Sequence, residues 1–423
     1  MRDLWSAEII AVGSELLTPT RLDTNSLTIT DTLNRLGIEV RAKAIVGDRR
    51  ADLAAVVAGA LARVDLVVLC GGLGPTDDDL TRDVVAEVLG RPLREDPTIT
   101  ETIRARFARR SLTMPDINRR QAMVPEGAVV LPNVSGTAPG LWIERGDQVV
   151  VLLPGPPREL GPMLEGDVRQ RLSTRVSGDG LFTRVVRIFG RSESHTEEAV
   201  RPFYAPWAAG SPAIEVTILA ARGAIDLHVT ARARTQAQAL AVLDPAIRQA
   251  TAALGDDVYS DTGRAIEEVT GDLLRQRGWH LAAAESCTGG LLLTRLTDIP
   301  GSSEYVACGI VCYSNQSKID MLGVDPLLIA AHGAVSEPVA QAMAAGIKVR
   351  SGAEVGVAIT GIAGPGGGTE AKPVGTVAIA LDTPDAALVR TRRLPGDREL
   401  IRTMAVHATL DMLRRLLSGR QVP

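Results

Sequence analysis

Aromatic side chains are scarce in this sequence. They make up 3% of 423 residues, against a hydrophobic fraction of 45%. Its cores must therefore be built from Val, Leu, Ala and Ile, which suits sheets covered by helices and argues against aromatic-rich sandwiches. Cysteine is also sparse. Cys70, Cys287, Cys308 and Cys312 lack metal-ligand spacing and a nearby His pair, and three of them lie in apolar segments. They read as reduced thiols, which excludes a disulfide framework and a cysteine zinc site. Neither sign of charge dominates: 46 Lys and Arg face 50 Asp and Glu, a net charge of -4. That balance gives no global attraction to nucleic acid or an anionic membrane, so a phosphate ligand must be held by a local site. No apolar run approaches a membrane span, and Met1-Arg2-Asp3-Leu4-Trp5 leads into a strand-like run rather than a secretory segment. A cytoplasmic protein with neither nucleic-acid nor membrane partners is expected. The length exceeds one ordinary core and calls for two or three domains.

What is present is a repeated strand, Gly-rich turn and helix. Ala7–Val12 reads as an apolar strand ending at Gly13, and helical and strand patterns then alternate up to Asp65–Cys70. Gly71-Gly72-Leu73-Gly74-Pro75-Thr76-Asp77-Asp78-Asp79-Leu80-Thr81 follows that strand. Gly71, Gly72 and Gly74 allow close approach of the backbone to a ligand, while Thr76, Asp77, Asp78 and Asp79 offer the oxygen ligands that Mg²⁺ prefers. The same residues also suit an ordinary helix start with acids placed for the dipole. Arg158 follows the strand Val149–Leu153 and is a candidate phosphate contact. A polar stretch from Arg171 to Gly180 marks a boundary, and a small α+β segment follows it.

In the last third, Trp279–Leu293 joins an apolar run to a helical pattern through Glu285-Ser286-Cys287-Thr288-Gly289-Gly290. Ser286 can be a helix N-cap, the commonest use of such a residue, or a nucleophile beside free backbone N–H groups. Three strands end at Ser286, Tyr313 and Thr360, each followed by a polar or Gly-rich loop. Converging strand ends are where α/β proteins assemble sites. Lys318 or Tyr313 can take the Ser proton in place of His, and N–H groups near Cys287 to Gly290 can stabilise an oxyanion.

Two resemblances follow from these motifs. Residues 7 to 170, through the Gly71–Thr81 loop, Gly13–Leu17, Asp23-Thr24-Asn25 and Leu153–Glu159, resemble the N-terminal domain of the CinA family, similar in fold to molybdopterin-binding domains. This implies an ADP-ribose pyrophosphatase that uses Mg²⁺ or a similar divalent metal on Asp77, Asp78 and Asp79 and releases AMP and ribose 5-phosphate. Ser14 and Pro19 depart from the family pattern, where an acid and a Gly are common. Residues 261 to 415 resemble the C-terminal amidohydrolase domain of the same family, through Glu285–Gly290, Tyr313-Ser314-Asn315 with Lys318, Gly333–Ser336, Thr360–Pro365 and Lys372–Thr376.

That second resemblance implies deamidation of nicotinamide mononucleotide, with Ser286 as nucleophile, Tyr313, Thr360 and Arg402 completing the set, Lys318 as a further candidate, and no cofactor. Thr288, Gly289 and Gly290 would contact the substrate, and Gly366 and Gly367 with Lys372 or Arg402 would take its phosphate. The expected fold class is α/β: a molybdopterin-binding-like sandwich over 1–170, a small α+β connecting domain over 171–256 and an α/β amidohydrolase domain over 257–423, assembled as a homodimer. Two other readings remain at this stage, a competence-linked scaffold that has lost an activity and a molybdopterin-handling protein.

Overall fold

The computed structural model describes residues 3–176, 178–221 and 223–422. It divides into two compact units. The first comprises the residues up to Phe182 together with Ala231–Leu240. Its main sheet contains β1 (Ser6–Val12), β2 (Glu39–Val46), β3 (Leu66–Cys70), β4 (Val129–Leu131), β5 (Gly140–Arg145) and β6 (Gln148–Leu153), in the order β2-β1-β3-β6-β5-β4. The first four in that order run parallel, and β5 and β4 add antiparallel pairs. Adjacent residues of one strand feed opposite cores: Ile9, Val68 and Val151 pack on one side, and Ile10, Leu69 and Leu152 on the other. That period of two, apolar on both faces, is what a parallel sheet between helix layers requires. Cys70 is in register with Ala11 and with Leu153, so Gly13, Gly71 and Pro154 leave the sheet at one edge.

The second unit comprises Thr183–Thr230 and the chain from Ala241 onward. A four-stranded sheet, most of whose residues lie in this unit, contains β7 (Gly180–Ile188), β8 (Ile214–Ala221), β9 (Ala224–Ala233) and β10 (Val258–Ser260), in the order β8-β9-β7-β10. The last sheet is built from β11 (Leu281–Glu285), β12 (Val306–Val311), β13 (Val355–Gly361), β14 (Thr376–Asp382) and β15 (Ala387–Arg393), in the order β12-β11-β13-β14-β15. β11 lies between two parallel partners, and Glu285 is in register with both Val311 and Ile359. The helices that matter below are α1 (Leu291–Thr297), α2 (Asn315–Leu322), α3 (Glu337–Ser351) and α4 (Arg398–Leu417). Among the described residues no helix is long and apolar enough to cross a membrane.

Thr183–Thr230, within the connecting domain expected over 171–256, belongs to the same compact unit as the C-terminal residues. Ala224 and Tyr259 belong to the core that holds Leu281, Val357 and Ala405. On α4, His407 stacks on Phe189 at 4.6 Å between centroids and meets the edge of Tyr259 at 5.3 Å. Arg414 donates to the Asp256 carbonyl at 2.8 Å and Arg415 to the Asp257 carboxylate at 2.8 Å. The Phe189–His407 stack, the Ala224 packing and the Arg414 bond to Asp256 tie this segment to the residues after 256, whereas the polar stretch at 171–180 lies beside the boundary of the two units, at Phe182.

His407 gives this packing a pH signature. Burial, followed by the charges of Arg295, Arg187 and Arg414, pushes its pKa down to about 3. The ring stays neutral in the fold while the unfolded chain takes up a proton near pH ~6.5, so stability is lost as pH falls below that value. The expected loss is about 2 kcal/mol by pH 5 from this group. Denaturant titrations at pH 7 and 5 should show this difference shrink in His407→Phe, which keeps an aromatic ring against Phe189 but cannot titrate.

Candidate active site

The three parallel strand ends of the second unit enclose a cleft of about 250 Å³, lined by Ser286, Tyr313, Lys318, Thr360, Gly366, Gly367 and Arg398 among others. Ser286 sits in the turn between β11 and α1 and is only 7% exposed. Its N–H donates to the Ile359 carbonyl at 2.9 Å, which fixes the turn against β13. Its Oγ lies 3.1 Å from Lys318 Nζ. Lys318 comes from α2, whose start is capped by Ser314 through the Ser317 N–H. The lysine is 1% exposed, and Nζ also donates to the carbonyls of Cys312 at 2.9 Å and Tyr313 at 3.2 Å. Burial lowers its pKa from the ordinary 10.5. Protonated, it donates to Ser286 Oγ as well as to the two carbonyls; in the neutral form its two N–H bonds would serve the carbonyls and its lone pair the Ser286 hydroxyl.

Thr360 Oγ1 donates to the Ala334 carbonyl at 3.0 Å and forms a buried wall of the cleft. Tyr313 is 62% exposed, and its hydroxyl accepts from Arg398 Nη2 at 3.2 Å. Arg398 also donates to the Gly364 carbonyl at 2.8 Å, so one guanidinium holds together the Tyr313 and Gly-rich sides of the rim.

The cleft of the first unit is larger, about 820 Å³, and lies at the ends of β1, β3 and β6. Gly71, Gly72, Gly74, Asp79, Glu15, Asp23 and Glu159 are among its lining residues. Gly71 has φ 103°, and a Cβ there would collide with the Val12 carbonyl. The buried Arg82, on the helix Thr81–Val88, donates to the Leu73 carbonyl at 2.9 Å and the Arg120 carbonyl at 2.8 Å. Arg120 in turn donates to the Thr76 carbonyl at 3.1 Å, and together the two arginines hold the Gly-rich loop. Asn25 Nδ2 donates to the Gly155 carbonyl at 2.7 Å and joins two cleft loops.

Comparison with known proteins divides the chain into three. Residues 8–174 match a probable molybdopterin binding domain, 183–260 the damage-inducible protein CinA KH domain and 263–417 the CinA C-terminal domain. A CinA-like protein of Koribacter versatilis is 46% identical over 97% of this chain and 99% of its own length. The chain belongs to the CinA family. A putative competence-damage inducible protein of Symbiobacterium thermophilum is 45% identical over 98% of this chain and 99% of its own. A solved CinA superfamily protein from Klebsiella pneumoniae is 34% identical, covering 37% of this chain and 99% of its own, with a TM-score of 0.36.

In this CinA-family chain several sequence-predicted site residues take other places. Ser286 is not the N-cap of α1: that position is Gly290, and the side chain that receives the first-turn N–H groups is Glu285. Thr288, Gly289 and Gly290 do not line the cleft. The Gly290 N–H is taken by Glu285 and the Gly289 N–H by the Ser286 carbonyl, so the helix start offers no open phosphate site. Arg402 also stays outside the lining and braces the turn through the Thr288 carbonyl at 2.7 Å. Arg398, one helical turn earlier, is the arginine of the cleft. Lys372 Nζ donates to the His332 carbonyl at 2.7 Å and lies outside the lining as well. The Asp397–Arg398 start of α4 is a cap followed by a first-turn cation, a signal that singles out no function.

In the first unit, Gly71, Gly72 and Gly74 line the cleft as expected, but Thr76 and Arg158 do not. Asp77 is paired with Arg120 at 2.8 Å, Asp78 is exposed, and Asp79 accepts from the Thr76 N–H at 2.9 Å. Only Asp79 of the three faces the cleft. Among the described residues no three His, Cys, Asp or Glu side chains gather as a metal site. A divalent ion held by Asp77, Asp78 and Asp79 together therefore does not fit. Neighbouring residues on a turn point in different directions, and Arg120 already neutralises one of the carboxylates. Ser14 is hydrogen-bonded with Asp48 in both directions, at 2.8 and 3.0 Å, and takes no part in the cleft lining.

Proposed function

We propose that this chain deamidates nicotinamide mononucleotide in the cleft of its second unit. The observation that carries the reading is the buried Ser286–Lys318 pair, a hydroxyl held 3.1 Å from an amine whose pKa is lowered by burial. In the proposed reaction Ser286 Oγ attacks the carboxamide carbon while its proton passes to Lys318 Nζ. The same proton then passes to the leaving nitrogen, which departs as ammonia and leaves an ester on Ser286. Water attacks that ester with Lys318 again as base, releasing the carboxylate, nicotinate mononucleotide, and restoring the hydroxyl. Arg398 and the backbone of Gly366 and Gly367 at the rim supply charge and close approach for the substrate phosphate. Tyr313 positions Arg398 through its hydroxyl. Incubating the purified protein with nicotinamide mononucleotide and following ammonia tests this reading. No ammonia above the blank would reject it.

For the first unit we propose hydrolysis of ADP-ribose to AMP and ribose 5-phosphate. The supporting observation is the cleft of about 820 Å³ whose lining combines Gly71 and Gly72 with Asp79, Asp23 and Glu159. Asp79→Asn should lower the rate more than tenfold, because its carboxylate both lines the cleft and ties Thr76. Asp77→Asn should stay within about twofold, since an exposed side chain paired with Arg120 contributes little. Equal losses in the two variants, measured as AMP release, would overturn this assignment.

A further inference from the structure

Glu285 immediately precedes Ser286, is fully buried and ends β11. Its Oε2 accepts from the N–H groups of Gly290 and Leu292, both at 3.1 Å, and its Oε1 accepts from the Leu293 N–H at 3.0 Å. Charge-assisted bonds of this kind offset the burial of a carboxylate and neutralise the positive end of α1. The loop from 285 to 293 is thereby closed on itself, with Ser286 inside it. The main chain of the same residue also reaches the other half of the pair. The Glu285 carbonyl accepts from the Cys312 N–H at 2.8 Å, and the Cys312 carbonyl accepts from Lys318 Nζ at 2.9 Å.

We infer that Glu285 is a positioning residue: its carboxylate, by clamping the first turn of α1, sets Ser286 Oγ at hydrogen-bonding distance from Lys318. The inference rests on the Ser286–Lys318 reading but not on the identity of the substrate. Glu285 faces away from the chemistry and supplies no proton. Its replacement by Gln keeps the size of the side chain but leaves one strong acceptor oxygen, and it sets an NH₂ group against a backbone N–H. The turn must then move to relieve that contact.

The test uses the full chain and a fluorophosphonate probe, whose phosphorus bonds an activated serine Oγ as fluoride departs and the hydroxyl proton passes to the base. Glu285→Gln, folded by circular dichroism, should label at Ser286 at least tenfold more slowly than wild type. With nicotinamide mononucleotide it should lower kcat by a similar factor with KM within about threefold. The alkaline rise in labelling rate should stay at the same pH, because Lys318 is untouched and only the geometry of the pair has changed. Folded Glu285→Gln that labels within twofold of wild type overturns the inference. A rise that moves in pH while the plateau is unchanged also overturns it, in favour of a charge effect on Lys318. Should the Gln variant fail to fold, Glu285→Asp decides: it keeps the charge and both acceptors but is one methylene short. Slow labelling of that variant supports the clamp, and wild-type labelling rejects it. Wild-type protein that labels at Ser286 yet releases no ammonia from nicotinamide mononucleotide would reject the substrate while leaving the clamp intact.

Discussion

Ser286→Ala should fold like the wild type and lose deamidation by roughly four orders of magnitude or more. A helix cap would give the opposite outcome, about 1 kcal/mol of stability lost and turnover retained. The structure separates these readings. Gly290 occupies the cap position of α1 and Glu285 holds its first-turn N–H groups, whereas Ser286 Oγ faces Lys318 Nζ. On the proposed reading, removing the hydroxyl removes the attacking atom, and it leaves the helix start intact. Hydrolysis of ADP-ribose in the first unit, where no residue of this turn lines the cleft, should be unchanged, while circular dichroism and a thermal melt check the folding of the second. Turnover within tenfold of wild type, about 1.4 kcal/mol in barrier height, would remove Ser286 as nucleophile.

Lys318→Arg should be nearly as damaging, with a loss of about 10²- to 10⁴-fold in kcat/KM, the usual contribution of a general base. Arginine keeps a positive donor for the Cys312 and Tyr313 carbonyls but does not become neutral in a protein, so it cannot accept the Ser286 proton. The pH dependence separates base from donor. On the proposed reading the active form is neutral Lys318, so kcat/KM of the wild type should rise with pH and level off above a pKa that lies below the ordinary 10.5, because burial disfavours the ammonium. In Lys318→Arg that rise should disappear. A variant that retains both the rise and more than a tenth of the rate would assign the base to another group.

Much of this arrangement is legible in the sequence because it is local. Apolar runs such as Leu66–Cys70 and Leu281–Glu285 mark buried parallel strands, and the Gly and Ser residues after them mark where a parallel sheet opens. Ser286, Tyr313 and Thr360 follow from that rule and line one cleft, with Lys318 beside them. What depends on side-chain direction does not follow from it. Arg398 and Arg402 stand one helical turn apart, yet the first reaches the rim and the second turns to the Thr288 carbonyl. Asp77, Asp78 and Asp79 look alike in a row, but Arg120, 41 or more residues later in the chain, takes one of them out of the cleft. Glu285 reads only as the first polar residue after an apolar run until the fold brings α1 back over it. The polar stretch from Arg171 to Gly180 is legible because it falls beside the boundary of the two units, whereas the packing of Phe189 on His407 across residue 256 is non-local and leaves no mark in composition.

The measurement that bears most directly on the Ser286–Lys318 account is product analysis with nicotinamide mononucleotide as the sole substrate. Purified wild-type protein should release ammonia and nicotinate mononucleotide in equal amounts, with the bond between ring and ribose intact, and Ser286→Ala should release neither. Free nicotinamide with ribose 5-phosphate, or ammonia formed equally well by Ser286→Ala, would contradict it.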